Sequence, residues 1–221
     1  ATSYTHTALV GGTTYNYRVC VADNVGNVAS GATLSYTAPI VDGTAPSGTL
    51  GINSGAAYTG ATGVTLNLSA SDAVGVTGYY VSNSATAPSA GAAGWTAVTA
   101  STSYSGTAAY TLATPDGSKT VYAWYKDAAG NVSTTASASI TLDQTAPSSG
   151  TVTATPGAGQ VTLSWSGFAD TGSGLNAGTY KLVFSTAATP ASACTDGTVL
   201  SNGAATSYTH TALVGGTTYN Y

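Results

Sequence analysis

The sequence predicts an all-β protein built from tandem modules, and three observations support this fold class. The seventeen residues at 205–221 are identical to those at 1–17, an offset of 204 residues (205 minus 1). Helix formers are scarce, since Glu and Met are absent while Thr, Val, Tyr and Ser dominate. Turn residues also recur between short runs of alternating apolar and polar residues. Because a period decides the architecture, we expect slightly more than one unit of a repeat array.

The composition limits the kinds of partner. Hydrophobic residues make up 43% of the 221 residues, which is enough for packed cores, but charged residues only 5%. The net charge of −4 argues against nucleic acid, which requires clustered Lys and Arg. No apolar run approaches the roughly 18–20 residues of a membrane span. With so little charge, we expect the surface to carry glycans or to be buried against copies of itself.

A weaker period divides each unit into two modules. The turn Asp23–Asn27 recurs at Asp127–Asn131, and Thr44–Ser47 recurs at Thr145–Ser148, an offset of 101 residues (145 minus 44). Modules of about 100 residues have the size of an immunoglobulin-like sandwich. The Thr-Ala-Pro tripeptides are the joints, because Pro ends strand pairing and stiffens a short linker. The predicted domains are the end of one module at 1–44, a complete module at 45–144 and the start of the next at 145–221.

Alternation predicts the strands of each module. In the first segment, the apolar residues of 15–21 share one face, the turn at Asp23–Asn27 follows, and a last strand runs over 32–38. The clearest inward face lies at 64–70. The other predicted strands are 76–81, 95–99, 108–113, 121–125, 133–142, 161–165 and 180–184.

The outer modules resemble fibronectin type III domains. The resemblance rests on Val161–Trp165, on Tyr180–Phe184, and on Leu213 with Tyr219 six residues later, a pair that Leu9 and Tyr15 repeat. It implies that Trp165 packs in the core. It also implies that Tyr15 and Tyr219 form tyrosine corners, in which the hydroxyl bonds nearby backbone.

The middle module is similar to the immunoglobulin-like domains of large bacterial surface proteins. The resemblance lies in the run from Tyr122 to Asn131 and in Leu142-Asp143 before Thr145-Ala146-Pro147. It implies an extracellular location at a bacterial cell surface, in stalks, adhesins or accessory modules of secreted enzymes. A fold alone does not specify which of these applies.

The cysteines predict a disulfide in each fibronectin-like module. Cys20 and Cys194 belong to the same module type in different copies, so Cys194 should pair with the equivalent of Cys20 at position 224 (20 plus 204), and Cys20 with the preceding equivalent of Cys194. Such a bond implies an oxidising compartment and contributes about 2–4 kcal/mol. The alternative is two free thiols.

Metal binding is a second hypothesis, and catalysis finds no support. Asp42 and Asp143 lie at the two joints, where related bacterial modules bind calcium, a hard cation that prefers oxygen ligands. The alternative is that Asp forms turns there, as we expect for Asp72 and Asp127.

His6 and His210 occupy one repeated position, and no Ser-His-Asp order, paired carboxylates or zinc spacing accompanies them. We therefore expect no enzyme and no other cofactor.

The abundant aromatic residues suggest a contact surface. Tyr122 and Trp124 alternate out of phase with the core, which predicts either a solvated sheet face or an interface between copies. The favoured function is a structural repeat unit of an extracellular filament or stalk, joined head to tail and packed laterally through faces rich in Thr and Tyr. The alternatives are an adhesin array that binds carbohydrate or a host-surface protein, and a spacer in a secreted enzyme.

Overall fold

The protein is all-β, as predicted. The computed structural model describes residues 3–39, 41–187 and 193–221, and in these ranges the regular structure is β-strand except for two short 3₁₀ turns, Asn53–Gly55 and Ala177–Thr179. The strands are β1 (Thr14–Val19), β2 (Ala32–Thr37), β3 (Ser47–Ile52), β4 (Tyr58–Thr59), β5 (Gly63–Ser82), β6 (Thr96–Thr111), β7 (Gly117–Asp127), β8 (Ala136–Leu142), β9 (Thr151–Gly157), β10 (Gln160–Ser166), β11 (Tyr180–Phe184), β12 (Thr198–Gly203) and β13 (Ser207–Thr211).

The described strands form four sheets. Two are antiparallel pairs, β1–β2 and β11–β12, and a third has the order β13-β10-β9. The largest has six strands, in the order β3-β5-β7-β8-β4 with β6 also paired to β5. In this sheet β4 is parallel to β8, whereas β5 and β7 are antiparallel.

Two predicted interruptions of the middle segment are absent. The strands expected at 64–70 and 76–81 are parts of β5, and those expected at 95–99 and 108–113 fall largely within β6, which begins at Thr96 and ends at Thr111. The register of β5 against β7 shifts between Val76 and Gly78. A bulge of this kind bends a strand and changes the register without ending it.

The chain divides into two compact units. The first comprises Ala1–Gly51, Leu66–Ala108 and Val121–Ala138, and the second Ile52–Thr65, Ala109–Thr120 and Ser139–Tyr221. The predicted module boundaries after residues 44 and 144 are defined by sequence and stay a prediction. No helix among the described residues has the length and apolarity to span a bilayer.

Each unit has its own buried side chains. In the first, Leu66, Leu68 and Ala70 are buried on one face of β5, as the alternation predicted. The second contains a cluster of Leu163, Trp165 and Leu182, against which Tyr180 and Tyr221 pack, among others. In contrast, β1 lacks the buried face expected over 15–21, since Val19 and Val21 are more than 70% exposed.

Candidate metal centre

Three carboxylates converge in the first compact unit. One carboxylate oxygen each from Asp42, Asp72 and Asp127 lies within 4.8 Å of the other two. Asp72 and Asp127 are buried, and Asp42 is half-buried. Buried carboxylates repel one another unless a cation or hydrogen bonds compensate, so this group is the strongest candidate for a site in the described residues.

Asp42 contributes a carboxylate oxygen that lacks a partner. Its Oδ1 accepts a hydrogen bond of 3.0 Å from the Thr44 amide, which forms a turn directly before the joint. Its Oδ2 is buried and accepts no hydrogen bond from any described group. A buried, unpaired carboxylate oxygen is costly, and a bound cation would satisfy it.

Asp72 is oriented by the backbone that follows it. Its Oδ1 accepts hydrogen bonds from the amides of Val74 (2.9 Å) and Gly75 (2.8 Å). Gly75 has a φ of 136°, a region that other residues rarely adopt, so Gly is favoured at this position. Asp72 lies within β5, so the predicted turn does not interrupt the strand there, and the two hydrogen bonds orient the Asp72 carboxylate.

Asp127 lies at the end of β7 and is held by Asn131. Its Oδ1 accepts the Asn131 amide at 2.9 Å, and its Oδ2 accepts the Asn131 side-chain Nδ2 at 2.7 Å. The same Nδ2 also donates to the Asp42 carbonyl at 3.1 Å. Asn131 therefore connects the Asp127 carboxylate to the backbone of Asp42.

The donor set fits a hard divalent cation. Calcium prefers six to eight oxygen ligands, and carboxylates are its commonest protein ligands. A shallow surface pocket of about 510 Å³ is lined by Asp72 together with Thr44, Ser47 and Ser71, among others. The nearest cation in sequence, Lys126, donates instead to the Ala90 carbonyl at 2.9 Å and lies over the Trp95 ring.

Asp143, the calcium candidate predicted at the second joint, is not a member of this group. Asp143 accepts the Ser173 amide on Oδ2 at 2.6 Å and the Thr145 amide on Oδ1 at 3.2 Å. The hydrogen bonds from Ser173 lower the pKa of Asp143 below its ordinary value. The sequence predicts only turns at Asp72 and Asp127, and no local signal shows that these residues meet Asp42.

Two local structures occur twice in the chain. Asp23 binds Asn27 as Asp127 binds Asn131, with the same 2.9 Å and 2.7 Å contacts, and Asn27 lowers the pKa of Asp23. Tyr15 Oη accepts the Val10 amide at 2.8 Å, and Tyr219 Oη accepts the Val214 amide at 3.0 Å. The repeated sequence thus builds the same hydrogen bonds in both places.

The predicted aromatic contact surface is wrong for Trp124, which is not on the surface of this chain. Trp124 is fully buried, and its Nε1 donates to Thr135 Oγ1 at 3.1 Å. Tyr80 packs edge-on against its ring, with centroids 6.1 Å apart, and Tyr122 is half-buried beside it. Both faces of β7 are covered, so alternation out of phase with one core does not imply exposure here.

The two cysteines are exposed and unbonded in this chain. Their predicted partners are equivalents at positions outside the sequence, so the disulfide stays a prediction.

No protein-family model matches this chain, and no curated protein matches it either. The resemblance to fibronectin type III and bacterial immunoglobulin-like domains therefore rests on the motifs alone.

Proposed function

We propose that this chain is a structural repeat unit of an extracellular filament or stalk on a bacterial surface. In this proposal, fibronectin-like and immunoglobulin-like β-sandwiches alternate along the array. The role of each unit is mechanical: it adds length to the filament and sets the spacing along it. The observation that carries the proposal is the repetition of both sequence and local structure, namely the identical residues 1–17 and 205–221 and the duplicated turns and tyrosine contacts. A tandem array of semi-rigid modules is suited to a mechanical role.

The carboxylate group supports a cation-stiffened joint. Asp42 lies two residues before Thr44 of the Thr44-Ala45-Pro46 joint, and its carboxylate meets those of Asp72 and Asp127. A calcium ion held by these residues would fix the joint to β5 and to the end of β7, and it would offset the repulsion among three charges. Stiffness would then depend on calcium, which is abundant outside cells.

Electron microscopy of the native material tests the structural function. Strands of about seven to nine residues give modules roughly 30–40 Å long, so two modules predict an axial repeat of roughly 65–80 Å. A continuous fibre with this period supports the proposal. Discrete particles, or a short stalk with a globular head, would reject it in favour of an adhesin or an enzyme spacer.

A further inference from the structure

Residues 143–145 connect β8 to the second joint, and their first and last amides are hydrogen-bonded. The Asp143 amide donates to the Thr59 carbonyl at 2.9 Å, which continues the pairing of β8 with β4. The Thr145 amide donates to Asp143 Oδ1 at 3.2 Å, which closes a turn. Sheet pairing and this turn therefore define the path of the chain as it leaves β8.

Asp116 holds this segment from the residue directly before β7. Its side chain is half-buried, and Oδ2 accepts both the Gln144 amide at 2.9 Å and the Thr145 hydroxyl at 2.7 Å. Hydrogen bonds to an ionised carboxylate are stronger than those between neutral groups. One carboxylate of the middle module therefore binds two neighbouring residues of the segment.

The Asp143 carboxylate binds the same segment to the module that follows. Its Oδ2 accepts the Ser173 amide at 2.6 Å, and it lies so close to Gly172 that a Cβ there has no space. Asp170 shapes this loop, since its Oδ1 accepts two amides of the loop at 3.1 and 2.7 Å. The segment is therefore bonded on both sides, to the middle module through Asp116 and to the next module through Asp143.

The first joint is held in a different way. The Asn131 side chain donates to the Asp42 carbonyl at 3.1 Å, and Gly43 has open space where a Cβ would lie. The turn before β1 is Gly11-Gly12, which has no side chain that could accept a hydrogen bond as Asp116 does. Gly also has more backbone conformations available than Gln, the residue that follows Asp in the second segment.

We propose that Asp116 locks the second joint, so that the chain leaves the middle module in one fixed direction, while the first joint is held more loosely about Gly43. The lock goes beyond the proposed structural function and rests on it only for the role of the two segments as joints. Stiff and more flexible joints then alternate along the array. The bonds of the lock are made by the chain's own groups, so the second joint is stiff with or without calcium at the first.

Hydrogen exchange of single amides, measured by NMR on the 221-residue chain, tests the lock. The Gln144 amide should exchange about tenfold or more faster in Asp116→Ala than in wild type, because it loses a charged acceptor. Asp116→Asn keeps one oxygen that can accept, so its exchange rate should lie between the two. Asp23→Ala is the matched control, because Asp23 also accepts backbone amides, those of Val25 and Asn27, in an exposed turn. Equal exchange of the Gln144 amide in wild type and Asp116→Ala would overturn the proposal.

The same sample compares the two joints. In nitrogen-15 relaxation, the Gly43 amide should have a lower order parameter than the Gln144 amide, because the segment around Gln144 is bonded on both sides. Equal order parameters at the two positions would reject the difference between the joints.

Spin labels measure the stiffness of the second joint. In a Cys20→Ser, Cys194→Ser background, Ala113→Cys and Thr155→Cys place labels at exposed positions before and after this joint. Double electron–electron resonance should give a narrow distribution of distances between the labels, and Asp116→Ala should broaden it. The control variant should leave the width unchanged. A width that is the same with and without the Asp116 carboxylate would contradict its role in stiffness.

The two proposals fail separately. Fibres with the expected period in native material, together with unchanged Gln144 exchange in Asp116→Ala, would reject the lock and leave the structural function standing. Faster Gln144 exchange in this variant, together with discrete native particles, would reject the structural function alone.

Discussion

Replacement of Asp72 by Asn should change stability in opposite directions with and without calcium. The substitution removes one charge of the Asp42–Asp72–Asp127 group and keeps an Oδ1 that can accept the Val74 and Gly75 amides. At 4.8 Å and an effective dielectric constant of about 20, two like charges repel by about 3.5 kcal/mol. Since hydrogen bonds offset part of this repulsion, we expect Asp72→Asn to stabilise the chelator-treated protein by about 1–3 kcal/mol.

With calcium bound, the wild-type protein should be more stable than the Asp72→Asn variant. Wild-type protein gains about 2.7 kcal/mol when free calcium is 100 times the dissociation constant, whereas the variant has lost a ligand and gains much less. Thermal unfolding followed by circular dichroism measures both effects. For a chain of this size, 1 kcal/mol corresponds to about 2–4 °C in Tm.

Asp170→Asn provides the control for this experiment. Asp170 also accepts two backbone amides on Oδ1, those of Gly172 (3.1 Å) and Gly174 (2.7 Å), but it is not part of the carboxylate group. Its replacement should leave the calcium response unchanged. If calcium raises the Tm of wild type and Asp72→Asn equally, or of neither, the group is not a calcium site.

Three further predictions concern the fold. Gly48→Ala should lower the Tm because its Cβ would lie 2.3 Å from the buried Tyr125 ring, at a cost of about 1–3 kcal/mol, whereas Gly43→Ala, with open space around its Cβ, should not. Burial raises the pKa of Tyr125 to about 12, so its neutral form stabilises the fold fully below pH 10. Urea unfolding should show this stability being lost as the pH rises from about 10 to 12, with a smaller loss in Tyr125→Phe. Leu163→Ala should cost about 2–5 kcal/mol in urea unfolding because it leaves a cavity in the second unit's core, and Val41→Ala, at an exposed position, should be neutral.

Alternation within a strand allowed part of the fold to be predicted from sequence. The inward face of β5 at Leu66, Leu68 and Ala70 is buried as expected, and β11 has the predicted bounds of 180–184. Alternation did not predict which residues are buried on the second face of β7. Trp124 is buried because packing covers both faces of β7, and a period of two carries no information on that second layer.

Local sequence patterns also did not predict how the three carboxylates of the candidate site come together. The sequence indicated Asp42 through its place at the joint, and it indicated turns at Asp72 and Asp127. Their convergence depends on long-range packing, because carboxylates far apart in the chain meet only after β5 and β7 have paired. Nothing in the spacing of these residues distinguishes Asp72 from Asp143 as the neighbour of Asp42.

The sequence by itself determined the period, the all-β class and the local turns and tyrosine contacts, because these depend on neighbouring residues. Tertiary structure alone decided whether the repeated seventeen residues form a strand. Residues 207–211 pair with β10 and become β13, while the identical residues 3–7 do not. The physical reason is that a strand satisfies its backbone hydrogen bonds on a partner, and the partner is not encoded within the segment.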